Sequence, residues 1–447
     1  MKKINIILIL LLAIPSVLSA EKDLTLADAL KIGLENNFQI QIAGKTTYIA
    51  ANNNSWADAG RYPTIDLQSS YNFSDANDPN SMLNFTIPGV DPSTLPLRTE
   101  SQASSISTSI GLNWMVFNGF AIYISKSSLS ALHSMSRGNE AIIVENTIQA
   151  IVLAYYESLL EKEKLDVLRR LTGLSRDKYD YAQSKQQIGT SVTFDVLQFK
   201  NAFLRDSANY LMQEINYKNA VRGLNLLLAV DQFTEFNPTD KFEFNQQAYD
   251  LNDLEQKLAE NNKTLKNQYI NNRLAENSID MAKSRMYPSL MLSTGYNYND
   301  SKYKVSGEDI LPSWKRNFYA GLSLNFNLYN GGNTSSQIQN AVVELEISNL
   351  RIDEMKLRLK NQLRTFYELY STKRQLLNVS QAAYESTRLN LTIAEDKFKS
   401  GAINSFNYRD IQIAFLNAAF DRLQAVYNLI DTHTELMRIT GGVISEY

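Results

Sequence analysis

Two stretches of about 67 residues, 121–187 and 334–400, carry helical patterning from end to end without a proline. At about 1.5 Å per residue, each would be a rod roughly 100 Å long. Single soluble domains seldom hold such rods, so a chain with two of them must lay them against neighbours in a bundle or a wall. The other helical stretches, residues 25–61 and the one following each long run, are about 37 residues each. Two of these stacked end to end match one rod, which suits a cylinder of even height.

The surface of the second rod carries two seams. Leu345, Ile352, Leu359 and Phe366 recur at coiled-coil spacing. Leu350 and Leu357 form a second line, displaced by roughly 140–155° around the helix. Two seams point to two flanking neighbours, as in the wall of a tube. A four-helix bundle would want one broader stripe, and the seams alone fit either.

The chain is also written twice. Asn36 and Asn37 match Asn261 and Asn262, and Tyr62-Pro63 matches Tyr287-Pro288, at an offset of about 225 residues. Beyond a loop the offset falls to about 212 and holds. There Phe117-Asn118-Gly119 falls on Tyr329-Asn330-Gly331, Gly189 on Gly401, and Ala202-Phe203-Leu204 on Ala414-Phe415-Leu416. The difference is a longer first loop at residues 75–100, rich in Pro, Asp, Asn and Ser. Three segments are expected: a signal peptide at 1–20, a first repeat at 21–248 and a second at 249–447. Each repeat reads helix, strand, loop, strand, very long helix, turn, helix. Pro63 and Pro288 end the opening helices, and Gly189 and Gly401 stop the long ones as C-terminal glycines do. Thr193 and Ser405 are expected to cap the helices that follow, with Asp195 favoured by the dipole in its first turn.

The strand segments alternate with a period of two. Ile65, Leu67, Tyr71 and Phe73 share one face, with Asp66, Gln68, Ser70 and Asn72 opposite. The matching faces elsewhere are Leu290, Leu292, Tyr296 and Tyr298; Ile106, Ile110, Leu112, Trp114 and Val116; and Phe318, Leu322, Leu324, Phe326 and Leu328. An apolar outside and a polar inside is the pattern of a membrane barrel, and about 9–11 tilted residues suffice to cross a bilayer. Trp114, Tyr319 and Tyr329 stand near strand ends as interface anchors. Four strands do not close a barrel, and open edges are not tolerated in hydrocarbon. Two copies would supply about eight strands and three about twelve; the pattern leaves the number open.

Lys2, Lys3, the apolar run from Ile4 to Ile14 and the small pair Ser19-Ala20 read as a secretory signal. Beyond it there is no apolar run of about 18 residues, so any contact with lipid would run through strands. The net charge of -3 gives no electrostatic reason to expect nucleic acid. The absence of cysteine removes disulfides, thiolate metal sites and cysteine nucleophiles. Glu161 and Glu163 lie on a charged helix surface, and His133 and His433 lack ligand-type spacing. No enzyme, metal site or cofactor is therefore expected. The competing class is a secreted structural coiled coil without a transmembrane barrel, which accounts for the helices but not for the strands.

With these residues assembled, the chain resembles the TolC-like outer-membrane efflux protein family. The carriers are the Tyr62-Pro63 and Tyr287-Pro288 strand starts, the Phe117-Asn118-Gly119 and Tyr329-Asn330-Gly331 strand exits, and the turns at Gly189 and Gly401. The resemblance implies an internally duplicated α+β membrane protein. Each subunit would give four strands to a trimeric, twelve-stranded barrel joined to a twelve-helix tunnel. It further implies a passive conduit in the bacterial outer membrane, working as a homotrimer. A periplasmic adaptor protein and an inner-membrane pump or ABC-type transporter would be its partners, in efflux or type I secretion. In such proteins the turn after the long helix forms the periplasmic entrance, often with an acidic pair in the second repeat. Here Asn407 and Asp410 stand at those positions, so one acid is missing, and Arg409 stands beside Asp410. The first-repeat turn offers Asp195 and Gln198. Ile403 occupies the place of a basic residue that locks some members closed, so the closing bonds must differ.

Overall fold

The computed structural model describes residues 22–78, 99–190, 192–305 and 308–446. The expected signal peptide lies outside the described residues, as do residues 79–98 of the expected first loop. In chain order the first half comprises β1 (Lys22–Leu24), α1 (Leu26–Asn36), α2 (Phe38–Asn53), β2 (Thr64–Asp78), β3 (Thr99–Asn118), α3 (Ala121–Gln187), α4 (Thr193–Leu228) and β4 (Phe236–Pro238). The second comprises α5 (Leu251–Asn261), α6 (Lys263–Ser284), β5 (Ser289–Val305), β6 (Glu308–Asn325), α7 (Asn333–Lys399), α8 (Ser405–Ile439) and α9 (Val443–Glu446). The chain folds as two compact units. One holds Arg137–Asn267, Asp353–Tyr447 and the segment up to Thr46; the other holds Thr47–Ser136 and Gln268–Ile352. The rods α3 and α7 each contribute residues to both units.

Both long helices start and stop within a residue of expectation, but the opening helices do not. The expected single helix over 25–61 is broken at Asn37 and ends at Asn53. The cause is the asparagine itself. Asn37 Oδ1 accepts the backbone N–H groups of Gln39 (2.9 Å) and Ile40 (3.3 Å), starting a new helix, while its Nδ2 donates to the carbonyl of Leu227 at 2.8 Å. Asn262 repeats the arrangement, accepting from the N–H of Leu265 at 2.8 Å and donating to the carbonyl of Ile439 at 2.9 Å. A side chain that caps one helix and ties down another makes the break cost little.

The second unit contains a four-stranded antiparallel sheet in the order β2-β3-β5-β6. Its register keeps like with like. Gln68, Ser109, Asn297 and Asn317 stand in one row across the sheet, and Leu67, Ile110, Tyr296 and Phe318 in the neighbouring row on the other face. The apolar face is open: Leu67 is 73 % exposed, Phe318 70 % and Leu324 69 %. Among the described residues nothing covers it, and the outer edges of β2 and β6 have no strand partner.

Three details differ from the pattern reading. First, β6 ends at Asn325, so Phe326 and Leu328 lie beyond it and Asn330 is not a strand boundary. Asn325 faces Ser289, the first residue of β5, and Pro288 before it has no N–H to extend the ladder. Second, Val116 falls at a bulge between Met115 and Phe117, which breaks the alternation at the end of β3. Third, Tyr319 is not on the apolar face. It stands opposite Gly295, which in turn faces Gly111, and its ring lies over both glycines on the polar face. A Cβ on Gly295 would meet the Tyr319 hydroxyl at 2.8 Å, so the glycine makes room for the ring. Trp114 keeps its place on the apolar face, its indole N–H donating to the carbonyl of Arg61 at 2.9 Å. Tyr329 lies past the strand and is exposed.

In the first unit, Tyr155, Ile151, Leu224, Leu228, Leu254, Leu363, Leu429 and Ile430 are fully buried around the short parallel pair β1 and β4. The Asp240 carboxylate there accepts the N–H of Leu26 at 2.7 Å and the phenol of Tyr155 at 2.8 Å, fixing the start of α1. The first seam on α7 is sunk, with Ile352 and Leu359 buried; on the second, Leu350 and Leu357 are each 68 % exposed.

His433, which lacks ligand-type spacing in the sequence, is buried between Phe244, Tyr249 and Tyr370, with Tyr249 Oη 2.7 Å from its Nε2 and a Glu446 oxygen 3.8 Å away. Burial holds the imidazole neutral and lowers its pKa from 6.5 to about 4. The unfolded chain takes up that proton first, so the stability this site contributes is complete above pH 6.5 and is lost as pH falls from there towards 4. His433→Phe should therefore flatten the loss of stability between those two values. Unfolding midpoints in detergent across that range would show it, and an unchanged acid slope would refute it.

Candidate functional site

The two turns that follow the rods are built alike. Gly189 has φ +73° and Gly401 φ +78°, the left-handed conformation that ends a helix. In each turn the residue after glycine donates back five positions: Thr190 N–H to the Lys185 carbonyl at 2.9 Å, and Ala402 N–H to that of Lys397 at 2.8 Å. The expected caps differ in detail. Val192, not Thr193, precedes α4 and makes no side-chain cap; the Thr193 hydroxyl instead accepts from the Gln186 amide at 3.0 Å. Asn404, not Ser405, caps α8 by accepting the N–H of Asn407 at 2.9 Å. An asparagine one residue earlier reaches that N–H, and this frees the Ser405 hydroxyl. It donates to Asp195 Oδ1 at 2.8 Å, tying the start of α8 to the start of α4. Phe194 and Phe406 meet beside this bond with ring centroids 5.6 Å apart.

Asn407 and Asp410 are exposed on one face of α8, as their spacing allows. Gln198 is half-buried on α4. Arg409 does not accompany Asp410. Successive residues on a helix point about 100° apart, and Arg409 is turned inward to Asp206 of α4. Its two terminal nitrogens lie 2.6 Å from the two carboxylate oxygens. This fork-to-fork pair is sealed off, the arginine side chain being 9 % exposed and the aspartate 0 %. Ser175 of α3 donates its hydroxyl to the same carboxylate, and Thr172 donates to the Asp206 carbonyl at 3.2 Å. Gln412 accepts from Arg409 at 3.4 Å.

Below the pair, four helix ends close on a small apolar cluster of Ala182, Val196, Phe199, Leu391, Ala394 and Tyr408, with Ile403 and Phe398 packed against it. Phe398 of α7 meets Phe199 of α4 edge-on at 5.4 Å and stacks on Tyr408 of α8 at 5.2 Å. Lys178 of α3 lies 3.6 Å from Glu395 of α7 and over the rings of Phe398 and Tyr408. Burial works to raise the Glu395 carboxyl, but Lys399 and Lys178 outweigh it and hold the group below its usual range. Burial, helped by Glu395, pushes the Tyr408 phenol up to about 12. Asp206, Ser175, Lys178 and Glu395 were not legible as site residues. No local pattern marks Asp206, whose partner lies 203 positions away.

The junctions between strands and helices are also built from side chains. Pro63 and Pro288 directly precede β2 and β5. Asn118 ends β3 and accepts the N–H of Ile122 at 3.2 Å, starting α3. Gly119 has φ +66°, and a Cβ there would sit 2.1 Å from the Ser284 carbonyl, so no other residue fits. Asn330 accepts the N–H of Thr334 at 3.4 Å before α7, and Gly331 has φ +68°. Among the described residues no helix is long and apolar enough to cross a membrane, and no group of three acidic or histidine side chains is placed to hold a metal.

Residues 254–442 match the model of the outer membrane efflux protein family. Over 203 residues the chain is 25 % identical to outer membrane protein TolC of Vibrio cholerae serotype O1; the match spans 44 % of this chain and 45 % of that relative, less than half its length. Solved structures share the fold across nearly the whole chain. A membrane protein from Pseudomonas aeruginosa superposes with a TM-score of 0.72 at 15 % identity, covering 94 % of this chain and 91 % of its own. The CmeC outer membrane channel of Campylobacter jejuni gives 0.70 at 14 %, covering 93 % and 85 %. The outer membrane protein VceC of Vibrio cholerae gives 0.70 at 12 %, covering 93 % and 96 %.

The buried pair makes a measurable claim. Asp206→Ala strands the Arg409 guanidinium in the interior and should cost about 3–5 kcal/mol of stability. Arg409→Met combined with Asp206→Leu strands nothing and should unfold near the wild-type midpoint. Denaturant titrations of the three proteins would decide, and a mild Asp206→Ala would show the pair to be hydrated.

Proposed function

We propose that the chain is a member of the outer membrane efflux protein family, whose model its residues 254–442 match, and that three copies close one twelve-stranded barrel in the outer membrane above a twelve-helix periplasmic tunnel. The chain is an outer-membrane protein reaching into the periplasm and is not an enzyme. In this reading it is the passive duct of a tripartite efflux or type I secretion system. It would dock a periplasmic adaptor and draw its energy from an inner-membrane pump or ABC-type transporter. The two halves, 21–248 and 249–447, would be two copies of one unit, each supplying a strand pair and a rod to the wall.

The observation that carries this reading is the sheet: an exposed apolar face, a polar face behind it, and two outer edges without strand partners among the described residues. Unpaired backbone groups in hydrocarbon cost several kcal/mol each, so a sheet of this kind needs further strands on both sides. Further copies of the same chain provide them by pairing β6 of one with β2 of the next. The helices support the same assembly. Leu197, Leu204 and Leu211 form an exposed seam on α4, as Leu350 and Leu357 do on α7, and each wants a neighbour.

The tips of α4 and α8 would frame the periplasmic entrance. Asp410 and Asn407 would face the pore, with Asp195 and Gln198 behind them and the turns at Gly189 and Gly401 at the rim. Three Asp410 carboxylates form a single ring, which draws cations less strongly than a double ring. Outer-membrane fractions should yield trimers that dissociate only on heating; a water-soluble periplasmic pool would favour a structural coiled coil instead. In planar bilayers Asp410→Ala should weaken cation selectivity and divalent-cation block several-fold. Unchanged selectivity would remove Asp410 from the pore lining.

A further inference from the structure

We propose that the apolar face of the sheet ends in a binding surface for a phosphorylated glycolipid of the outer leaflet, built from Arg316, Lys302 and Trp314 at the end of the strands away from the helices. The proposal deepens the barrel reading and rests on it.

The two ends of this face differ. Nearest the helices its rows hold Leu112, Thr294 and Ala320, then Trp114, Leu292 and Leu322, with no charged side chain. At the other end Arg316 stands opposite Tyr298, Asp300 opposite Trp314, and Lys302 one row further on, beside Ser104. From Leu324 to Trp314, β6 rises about 34 Å. With the strands tilted by about 40°, that is roughly 25 Å of height, the full depth of the outward apolar band of a membrane barrel. Trp314 therefore falls where aromatic belts meet the interface, and Lys302 lies just past it, at headgroup depth.

Arg316 shows where its charge is directed. Its backbone lies one row inside Trp314, where a charge facing hydrocarbon is unfavourable. The side chain runs away from Phe318 instead, and its guanidinium carbon sits 5.2 Å from the centroid of the Trp314 ring. Both Arg316 and Lys302 are exposed, and neither makes an ion pair among the described residues. Two acids share this end of the face: Asp300 between the two cations, and Asp75 a further row out, in line with Gln102 and Lys304. The surface thus carries both signs. It holds a phosphate by aimed donors, a guanidinium fork and an ammonium, rather than by a broad positive field.

The outer leaflet of a bacterial outer membrane is dominated by a glycolipid bearing phosphomonoesters, and the inner leaflet by largely zwitterionic phospholipid. A face with cations at its outer end and none at its inner end matches that division.

The test is thermal unfolding of the full chain, purified in detergent and stripped of glycolipid. With bis-phosphorylated lipid A the wild-type midpoint should rise by several degrees, and with the same lipid freed of its phosphates it should not. Arg316→Gln combined with Lys302→Gln should lose most of the rise, and Asp300→Asn should enlarge it. Lys315→Gln, on the polar face opposite Asn299, should leave it intact. Without lipid the double variant should unfold with wild type, because neither side chain is buried or ion-paired, so a lost rise is not a lost fold. An equal rise with the dephosphorylated lipid or with inorganic phosphate, or a full rise in the double variant, would overturn the proposal. Protein that stays in aqueous solution without detergent would instead count against the barrel reading itself.

Discussion

Along β2 and β6 one side of the backbone has no strand partner among the described residues, and in a hydrocarbon layer each unpaired amide or carbonyl costs several kcal/mol. Most of what is unusual about this chain follows from that constraint. A four-stranded sheet with a largely exposed apolar face is unstable as a soluble surface and incomplete as a membrane one. It becomes sound once lipid covers the face and further strands cover the edges. The same incompleteness shows in the helices, where leucine seams on α4 and α7 lie bare while their opposite faces are buried.

Within one chain, polar side chains decide where elements begin and end. Asn37, Asn118, Asn262, Asn330 and Asn404 each accept a backbone N–H at a helix start. Asparagine suits the task because one end of its amide caps while the other can donate elsewhere. At Asn37 and Asn262 that second bond reaches a carbonyl at the end of another helix, 190 and 177 positions away. The same side chains thus break a helix and bind it to its neighbour.

At the far end of the rods the electrostatics are arranged inward. The only acid of the expected pair, Asp410, is exposed, while Arg409, one residue away in sequence, is buried in a forked ion pair with Asp206. These helix ends thereby separate an exposed charge from charges that hold the helices together. Burial makes the Arg409–Asp206 pair a poor source of net stability but an exacting source of geometry, since losing either partner is costly.

Much of this was legible beforehand. The rods, the strand faces, the glycine turns and the proline strand starts all rest on local rules: a period of 3.6, a period of two, a left-handed φ and a missing N–H. These rules act over a few residues, so the sequence by itself determined the length of the two rods and the kind and facing of the four long strands, but not the short strands β1 and β4. Only the tertiary structure decided that Arg409 turns from Asp410 to Asp206, that Tyr319 lies across Gly295 on the polar face, that β6 stops opposite Ser289, and that the opening helices break at Asn37 and Asn262. Each of these depends on a group brought close by folding, and no periodicity along the chain encodes which distant carboxylate, glycine or carbonyl will be there.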